Sequence, residues 1–555
     1  MPWNPAAASQ EYNDAQSGEK LPSFSTLIST LKLDLPTNNS NKTPNMPSHI
    51  NFTKVDTLPR YAWGAVYSHT DRSLNVYHGS GVETFDQGLI EGAWDGAFTD
   101  YSFHRSTVLC GTGFREADGE LQFCSSTDRL APLFSIQKDG LIYISNSPIF
   151  AQSLSQTSYI PLYPYYNHDI LATVREGLYC LDGTTPLQDG HKLHLHFSAI
   201  MAILPNGKIE YRKYDAGQEP ESFASYRAII QEAMNKVLQN GLDPARKHPL
   251  RSLATISTGY DSCATSALAR DAGCERAATF YDSESDTPHA DSGMENAKSL
   301  GMSCKEYDRW AFKKMPPLVE PEFCFMSGSS NAPTAAMESD LADCILIGGA
   351  SGGETWGVQR TSFYNHLSTP WSRSVSGVSQ LEFRLRVGYI TMDPAVIAVR
   401  HNQRLAEIFS SDEMQEWSVP GNYNRPAARR IAEEAGIPRE QFGMKKQMTS
   451  HSGLKTKEGF SAQGYTDYHA FIDQRIAQSN KLSWLYWRVH FAITFFLHYK
   501  LTSSRRKIRP STPLQRKFPF ILNSAPLRLT WRYVFAFQWA AEKLANRYQN
   551  LSMDD

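Results

Sequence analysis

The sequence predicts a mixed protein in which an N-terminal α+β half, built mostly of strands, precedes an α/β half with a parallel sheet. Residues 60–214 contain short strand-like runs separated by turn signals, whereas strand-like and helix-like runs alternate after Glu221. At 555 residues the chain is also too long for one ordinary core. Two or more domains are therefore expected.

Composition and charge exclude several classes of protein. Hydrophobic residues make up 41% of the chain and charged residues 20%, as in a globular protein, and the formal net charge of −2 does not suggest a polyanionic partner. The eight cysteines include no Cys-x-x-Cys pair, which argues against a disulfide framework and a structural zinc site. Free thiols in a reducing compartment are expected.

Neither export nor membrane insertion is expected. The first 25 residues hold no apolar run of signal-peptide length. The most apolar stretch, residues 482–501, contains Arg488, His490, His498 and Lys500, and central charges oppose insertion into a bilayer. The sequence therefore favours a cytoplasmic protein in which this stretch is a buried helix.

The N-terminal half is expected to follow a flexible lead-in. Residues 1–57 are polar and rich in Asn, Ser, Thr and Pro, so they have little to bury. Residues 61–67 and 141–144 have the composition of strands, and Asn206-Gly207 between two apolar runs is typical of a hairpin turn. We assign residues 58–215 to a β-rich domain.

The C-terminal half alternates strands with helices, as in a parallel sheet covered by helices. Apolar residues at helical spacing predict a helix at residues 226–238. The further elements predicted are strands at residues 253–256, 277–281 and 344–347, and helices at about residues 263–271 and 293–300. We assign residues 220–470 to this domain and residues 471–555 to a helical, basic and aromatic extension.

The loop after the first strand of this half carries the strongest chemical signal, and its residues are Ser257, Thr258, Gly259, Tyr260, Asp261 and Ser262. Between a strand and a helix, backbone N–H groups and the helix dipole favour an anion, and small side chains let phosphate oxygens approach. Ser257 and Ser262 can add hydroxyl donors. Asp261 can supply a hard oxygen ligand for Mg²⁺.

This loop resembles the Ser-Gly-Gly-x-Asp-Ser pyrophosphate loop of the N-type ATP pyrophosphatases, with Thr258 in place of a glycine. The resemblance implies that residues 257–262 bind ATP together with Mg²⁺. In the asparagine synthetase-like members the next strand flanks the adenine, which would place Ala278, Thr279 and Phe280 near the base. Residues 291–301 are similar to a helix of the same family.

A second glycine-rich loop, residues 348–357, resembles the Gly-Glu-Gly-Ala-Asp-Glu loop of that family, which also faces the phosphates and the metal. Without gaps the aspartate falls on Gly353 and the following acid on Glu354, whereas a one-residue slip would put Glu354 at the aspartate. Glu354 is the only carboxylate in this loop, so it is the candidate second metal ligand and a candidate catalytic residue. Gly352 and Gly353 are candidate nucleotide contacts, and Ala350 replaces the earlier glutamate.

Residues 429–446 resemble the helix of that family and the catalytic lysine that follows it. A lysine there can neutralise the charge that grows at the α-phosphate and on the leaving pyrophosphate. Lys445 and Lys446 are equal candidates, and the alternative is that both are solvated surface lysines.

The N-terminal half resembles the class II glutamine amidotransferase domain, an αββα sandwich of the N-terminal nucleophile type, at residues 91–98 and 127–134. A working glutaminase of this type uses a cysteine directly after the initiator Met, whereas this chain has Pro2 there and its earliest cysteine is Cys110. The glutaminase is therefore expected to be inactive. β-lactam synthetases and lasso-peptide cyclases resemble this arrangement, and nitrogen is expected from ammonia or a substrate amine.

Taken together, these segments resemble the asparagine synthetase-like family, in which that sandwich precedes a parallel-sheet synthetase domain of the adenine-nucleotide alpha-hydrolase (PP-loop) kind. The resemblance implies a ligase that uses ATP, forms AMP and activates a small or carrier-linked carboxylate as an acyl-adenylate for attack by ammonia or an amine. Two alternatives stay open. A pseudoenzyme would explain Thr258, Ala350 and Gly353, and a tRNA-modifying enzyme would use the same kind of loop.

The C-terminal segment is strongly basic. Nine basic residues and no acid lie between Lys500 and Arg532, among Trp and Phe residues. An anionic surface or an acidic substrate carrier would bind such a segment. The alternative is a solvated patch that pairs with acids elsewhere in the protein. Nucleic acid is not expected, because no recognisable nucleic-acid-binding module is present.

Overall fold

The computed structural model describes a mixed α/β protein with three sheets. The described residues from His49 onward belong to one compact unit, Asn45–Asp555. The ranges described are 49–167, 169–170, 173, 183–281, 291–324, 331–357, 378–421, 423–444, 459–482, 484–490, 492–493 and 535–549.

Two of the sheets form the N-terminal half. The seven-stranded sheet has the order β1-β3-β2-β9-β8-β11-β10, and its strands are β1 His49–Lys54, β2 Trp63–Ser68, β3 Ser73–His78, β8 Leu133–Lys138, β9 Leu141–Ser145, β10 Thr184–Pro186 and β11 Lys192–His196. The six-stranded sheet has the order β13-β12-β7-β6-β5-β4, and its strands are β4 Glu83–Phe85, β5 Gly88–Trp94, β6 Leu109–Ala117, β7 Glu120–Cys124, β12 Ile200–Ile203 and β13 Ile209–Arg212.

The third sheet and most helices form the C-terminal half. All neighbouring strands of this sheet are parallel, in the order β16-β15-β14-β17-β18, and they are β14 Arg251–Thr255, β15 Arg276–Phe280, β16 Ser303–Tyr307, β17 Cys344–Ile347 and β18 Tyr389–Met392. The α-helices are α1 Pro148–Ser155, α2 Phe223–Gly241, α3 Tyr260–Asp271, α4 Met294–Ser299, α5 Glu338–Leu341, α6 Gly352–Thr355, α7 Leu381–Val387, α8 Asn402–Phe409, α9 Pro426–Glu434, α10 Ala462–Gln478 and α11 Ala536–Ala545.

The two N-terminal sheets face each other across an apolar core. In β3 the side chains of Leu74 and Val76 are buried and alternate with half-buried neighbours, the period-two pattern of a strand with one face in the core. Trp63 from one sheet stacks on Phe123 from the other, with ring centroids 6.5 Å apart. The Trp63 indole N–H donates to Thr112, so its polar atom is satisfied inside the core.

The local predictions for both halves are confirmed where the signal was strong. Residues 200–203 and 209–212 form the antiparallel hairpin, and Gly207 has a positive φ of 78° at its turn. The strands predicted at residues 253–256, 277–281 and 344–347 are β14, β15 and β17 to within two residues. The helix predicted at 226–238 is the core of α2, which a capping box at Ser222 begins.

The end of the polar lead-in differs from expectation. His49–Lys54 forms β1, which pairs in parallel with β3 at the edge of the seven-stranded sheet. Backbone pairing does not require apolar side chains. Ile50 and Phe52 nevertheless pack against the core between the sheets, and the Asn51 amide donates to Asn75 at 2.9 Å. A polar composition therefore did not exclude a strand there.

The two halves are joined by polar contacts that are themselves buried. Glu91 on β5 accepts two hydrogen bonds from Arg384 on α7, at 2.6 and 3.0 Å. The Ser147 hydroxyl donates to Glu382 at 2.6 Å, and the Tyr61 backbone N–H donates to the Leu385 carbonyl. These contacts make the halves parts of one packed unit.

The C-terminal extension returns to the N-terminal half. Helix α11 buries Phe537 and Trp539 in the apolar cluster on the outer face of the seven-stranded sheet. The Tyr548 hydroxyl donates to Glu382 at 2.6 Å. The apolar side chains of residues 535–549, among them Phe537, Trp539 and Tyr548, therefore contribute to the core.

The expectation of a buried helix after residue 481 is wrong for its described part. Residues 481–482, 484–490 and 492–493 are helical, and only one side of them packs on the protein. Trp487 contacts Tyr163 edge to face, whereas Leu482 is 75% exposed. Among the helices that the structure describes, none is long and apolar enough to cross a bilayer.

Candidate functional site

Two loops leave neighbouring strands at the same edge of the parallel sheet. β14 pairs with both β15 and β17. From β14 the chain continues to β15 and β16 on one side of the sheet, and it later returns to β17 and β18 on the other side. In open parallel sheets, such a reversal of strand order opens a crevice at the carboxyl ends of the strands, where ligands bind. The loops after β14 and β17 are those that the sequence singled out.

Serine hydroxyls hold the first loop in shape. The Ser257 and Ser262 hydroxyls are 2.8 Å apart, and Ser262 Oγ accepts the Ser257 backbone N–H at 3.1 Å. The Ser257 hydroxyl also accepts the Gly259 N–H at 3.1 Å. Both hydroxyls therefore fix the shape of the loop through hydrogen bonds within it. The backbone of residues 257–259 is half-buried at the start of α3.

The start of α3 has no cap from its own N-cap residue, because Gly259 carries no side chain. Gly259 has φ −82°, and a Cβ built on it would lie no closer than 3.4 Å to its neighbours, so neither the backbone conformation nor the space restricts this position to glycine. The first-turn N–H groups of a helix have no partner within the helix and attract anions. The Asp261 carboxyl lies in that first turn.

The second loop packs directly on Asp261. A Cβ built on Gly349 would lie 2.8 Å from the Asp261 carbonyl oxygen, and one built on Gly352 would lie 2.7 Å from the Asp261 Cβ. At Gly353 a Cβ would lie 3.3 Å from Asp261 Oδ2 and 3.8 Å from Arg425 Nη2. Glycines at positions 349 and 352 thus permit a contact that any side chain would prevent.

Thr258 has a specific partner at the position where the resembling loop has glycine. Its hydroxyl donates to Asp291 Oδ1 at 2.9 Å, and its backbone N–H lies 3.4 Å from the same oxygen. Burial raises the pKa of Asp291, and the hydrogen bonds from Thr258 oppose that rise. Thr258 therefore links the first loop to the segment at Asp291 that leads into α4.

Tyr260 lies beneath the loop. Its side chain is buried, hydrogen-bonded to Arg429 and in edge-to-face contact with Phe442. The Gly443 N–H donates to the Thr258 carbonyl at 2.8 Å. These contacts dock residues 442–444 on the first loop. Lys445 and Lys446 follow directly in the sequence, but they lie outside the described residues.

We expect Gly443→Ala to destabilise the protein more than Gly436→Ala. Gly443 has φ +69°, and a Cβ there would lie 2.2 Å from the Tyr260 ring. Gly436 has φ +97° with nothing within 4 Å of such a Cβ, so this control carries only the backbone strain of about 1–2 kcal/mol. Urea unfolding of both variants measures the difference, and equal losses would contradict the close docking.

Sequence reasoning missed two residues at the site, Tyr423 and Arg425. The Tyr423 ring lies 4.8 Å from the Tyr260 ring. Burial and the Asp261 charge raise the pKa of Tyr423 to about 12, while a hydrogen bond from the Tyr260 backbone N–H lowers it. The Arg425 Nε is buried with no hydrogen-bond partner among the described residues. Both precede α9 in a run of mixed polarity that has no periodic signal.

The residues expected near the base are less exposed than a contact would require. Thr279 is buried, and its hydroxyl accepts the Gly293 N–H at 2.8 Å. Phe280 is half-buried at the end of β15, and its ring lies 6.2 Å from that of Tyr307. Ala278 is buried as well, so Phe280 is the one of the three residues expected near the base whose side chain is partly exposed.

The candidate metal ligands are only partly described. Gly352 and Gly353, next to Asp261, lead directly into Glu354, and the backbone of Glu354 belongs to α6. The Glu354 side chain lies outside what the structure describes. Within the described ranges, no group of three or more His, Cys, Asp or Glu side chains could hold a metal ion.

A small cavity of about 30 Å³ lies between the halves, behind the second loop. Its lining includes Asp128 from the N-terminal half and Asp393 after β18. The Ser351 N–H of the second loop donates to Asp393 Oδ2 at 2.7 Å. Burial raises the pKa of Asp393 to about 7, which the Asp128 charge reinforces, and burial raises that of Asp128 to about 6.

The raised pKa values predict a stability that falls with pH. The folded protein favours the protonated carboxyls, so this contribution is fully present below pH 3.8 and is lost as the pH rises through about 6–7. For Asp393 the difference between 3.8 and about 7 corresponds to at most ~4 kcal/mol. The Asn side chain in Asp393→Asn cannot ionise. The Tm of this variant, relative to that of the wild type, should therefore increase as the pH rises.

The control for this prediction is Asp56→Asn, because the Asp56 side chain is 81% exposed. Its Tm difference from the wild type should not change with pH over the same range. A constant difference between Asp393→Asn and the wild type would contradict the raised pKa of Asp393.

The two described cysteines of the N-terminal half, Cys110 and Cys124, are buried thiols. Burial raises the pKa of Cys124 to about 12 and that of Cys110 well above its ordinary value. The seven cysteines in the described part of the chain are all free. Thiols of this kind stay protonated and are poor nucleophiles.

No protein-family model matches the sequence, and no curated protein matches it.

Proposed function

We propose that this chain is an ATP-dependent, AMP-forming amide ligase of the asparagine synthetase-like kind. One observation carries the proposal: the two glycine-rich loops, residues 257–262 and 348–353, pack together at Asp261, and residues 442–444 dock on the first of them. The sequence alone indicates each of these three segments independently of the others. Their convergence at the switch point of a parallel sheet supports a common ligand.

The chemistry of the crevice suits a triphosphate. The first-turn N–H groups of α3 would bind phosphate oxygens, and Ser257 and Ser262 keep the loop in the shape that presents them. Arg425, whose Nε has no hydrogen-bond partner among the described residues, would supply positive charge beside the phosphates.

The residues also fit a magnesium ion. Asp261 would hold it, and Glu354 is the candidate second ligand. Mg²⁺ on a nucleotide usually takes one or two carboxylates together with phosphate oxygens, so a crowded protein cluster is not required. When bound, the ion would supply charge neutralisation at the phosphates.

In the proposed reaction a carboxylate oxygen of the substrate attacks the α-phosphorus, and the bond to the departing pyrophosphate breaks. Ammonia or a substrate amine then attacks the activated carbonyl, loses a proton and releases AMP. The loops contribute by holding the reactants in line. Lys445 or Lys446, which follow the docked residues 442–444, would stabilise the leaving pyrophosphate.

The N-terminal half supports a source of nitrogen other than glutamine. Two facing sheets with α1 on the outer face of one suit an αββα sandwich of the amidotransferase type. The described thiols of this half, Cys110 and Cys124, are buried and protonated. The free thiols also suit the cytoplasm. The substrate is a small or carrier-linked carboxylic acid.

Exchange of labelled pyrophosphate into ATP tests the proposal. The purified protein is incubated with ATP, Mg²⁺ and panels of amino acids, sugar acids and peptides. We expect exchange that depends on one class of carboxylate. Nucleotide binding without exchange for any acid would favour a binding protein, and exchange that requires tRNA would favour the modification enzyme.

A further inference from the structure

One helical face of the C-terminal extension is apolar and exposed. Leu482, Leu485, Tyr486, Val489 and Ile493 are between 47% and 75% exposed. They recur at intervals of three, four and seven residues, so they form a single stripe along the helical residues 481–493. We call these five side chains the exposed stripe.

The opposite side of the same residues is fixed to the protein. Trp487 packs edge to face on Tyr163, with ring centroids 5.6 Å apart. The Tyr165 hydroxyl and His490 Nδ1 are 2.7 Å apart. Trp484 also packs against the apolar cluster under the seven-stranded sheet. The helix is therefore anchored by its aromatic side, and this anchoring orients the exposed stripe outward.

The sequence around the stripe is positively charged. No Asp or Glu occurs between Asp473 and Glu542. The basic residues in this interval are Arg475, Lys481, Arg488, Lys500, Arg505, Arg506, Lys507, Arg509, Arg516, Lys517, Arg528 and Arg532. Lys481 and Arg488 are exposed on the helical residues themselves, beside the stripe.

We propose that the exposed stripe is a membrane-surface anchor that inserts into the headgroup region of an anionic bilayer. An amphipathic helix with aliphatic and aromatic side chains on one face and basic residues beside it lies in the plane of the interface. Phosphate and carboxylate headgroups attract Lys481 and Arg488 beside the stripe, while the acyl boundary takes up the aliphatic side chains. Nucleic acid or an acidic protein would match the charge but would leave Leu485 and Val489 without an apolar partner.

Vesicle flotation of the full chain tests this proposal, and its outcome does not depend on the ligase activity. One set of vesicles is phosphatidylcholine alone, and the other also contains phosphatidylserine. We expect tighter binding to the second set, weakened by salt. Arg488→Gln should weaken binding to the phosphatidylserine vesicles about fivefold and leave the weak binding to phosphatidylcholine unchanged.

Leu485→Ser has a matched control in Leu242→Ser, because the two leucines are 55% and 57% exposed. Leu485→Ser should weaken binding about tenfold, since one aliphatic contact with the acyl boundary is lost, whereas Leu242→Ser should bind like the wild type. Equal binding by the wild type and Leu485→Ser, or no binding to either vesicle, overturns the proposal. If the protein forms a dimer in the absence of vesicles and Leu485→Ser dissociates that dimer, the stripe is an interface between two copies of the chain. This result would also overturn the proposal.

Discussion

Asp261→Asn is expected to lower the rate of carboxylate-dependent exchange of pyrophosphate into ATP by roughly 100-fold or more. The substitution keeps the shape of the side chain, which matters because Gly349 and Gly352 fit closely against this residue. It removes the negative charge that would hold Mg²⁺ beside the phosphates. The Tm should change little, because the packing is preserved.

The matched control is Asp271→Asn, since Asp271 ends the same helix and pairs with Arg227 away from the loops. We expect this variant to retain exchange close to that of the wild type. Equal activity of Asp261→Asn and the wild type would contradict a metal-binding role for Asp261.

Arg384→Met is expected to lower the free energy of unfolding by about 3–5 kcal/mol. Its guanidinium donates twice to Glu91, and the two side chains are 2% and 0% exposed. Burial alone would lower the pKa of Arg384, and Glu91 raises it above the ordinary value. Removal of the arginine leaves a buried carboxylate whose remaining donors among the described residues are the Thr112 hydroxyl and the Asn146 amide.

Urea unfolding of two further variants tests this prediction. Glu91→Gln combined with Arg384→Met should recover part of the loss, because no buried charge is left. Arg105→Gln removes a pair with Asp118 whose side chains are 65% and 64% exposed, and it should cost less than about 1 kcal/mol. A loss from Arg384→Met as small as that from Arg105→Gln would contradict the importance of the pair between the halves.

The strands that carry the two loops could be predicted because their apolar runs are short, continuous and followed by small residues. β14 and β17 are such strands. β16 escaped prediction because it is an edge strand in which only Tyr307 of its five residues is buried. The return of residues 535–549 to the core also escaped, because this pairing depends on contacts distant in sequence.

The candidate site was predictable in its loops but not in their partners. Small residues between a strand and a helix indicate a candidate anion-binding loop from the local sequence alone. The bond between Thr258 and Asp291 joins residues 33 positions apart, and nothing local indicates it. Likewise, the position of Arg425 next to Gly353 follows only from how α9 packs. Local pattern thus identified the backbone of the site, and tertiary packing selected the side chains around it.

Labelled oxygen followed during turnover tests directly whether the substrate carboxylate attacks the α-phosphorus of ATP. A carboxylate that supports exchange is prepared with ¹⁸O in its carboxyl group and incubated with the protein, ATP, Mg²⁺ and an amine. If the carboxylate attacks the α-phosphorus, one labelled oxygen appears in AMP. Label in orthophosphate, with formation of ADP, would place the attack at the γ-phosphorus and contradict the formation of an acyl-adenylate.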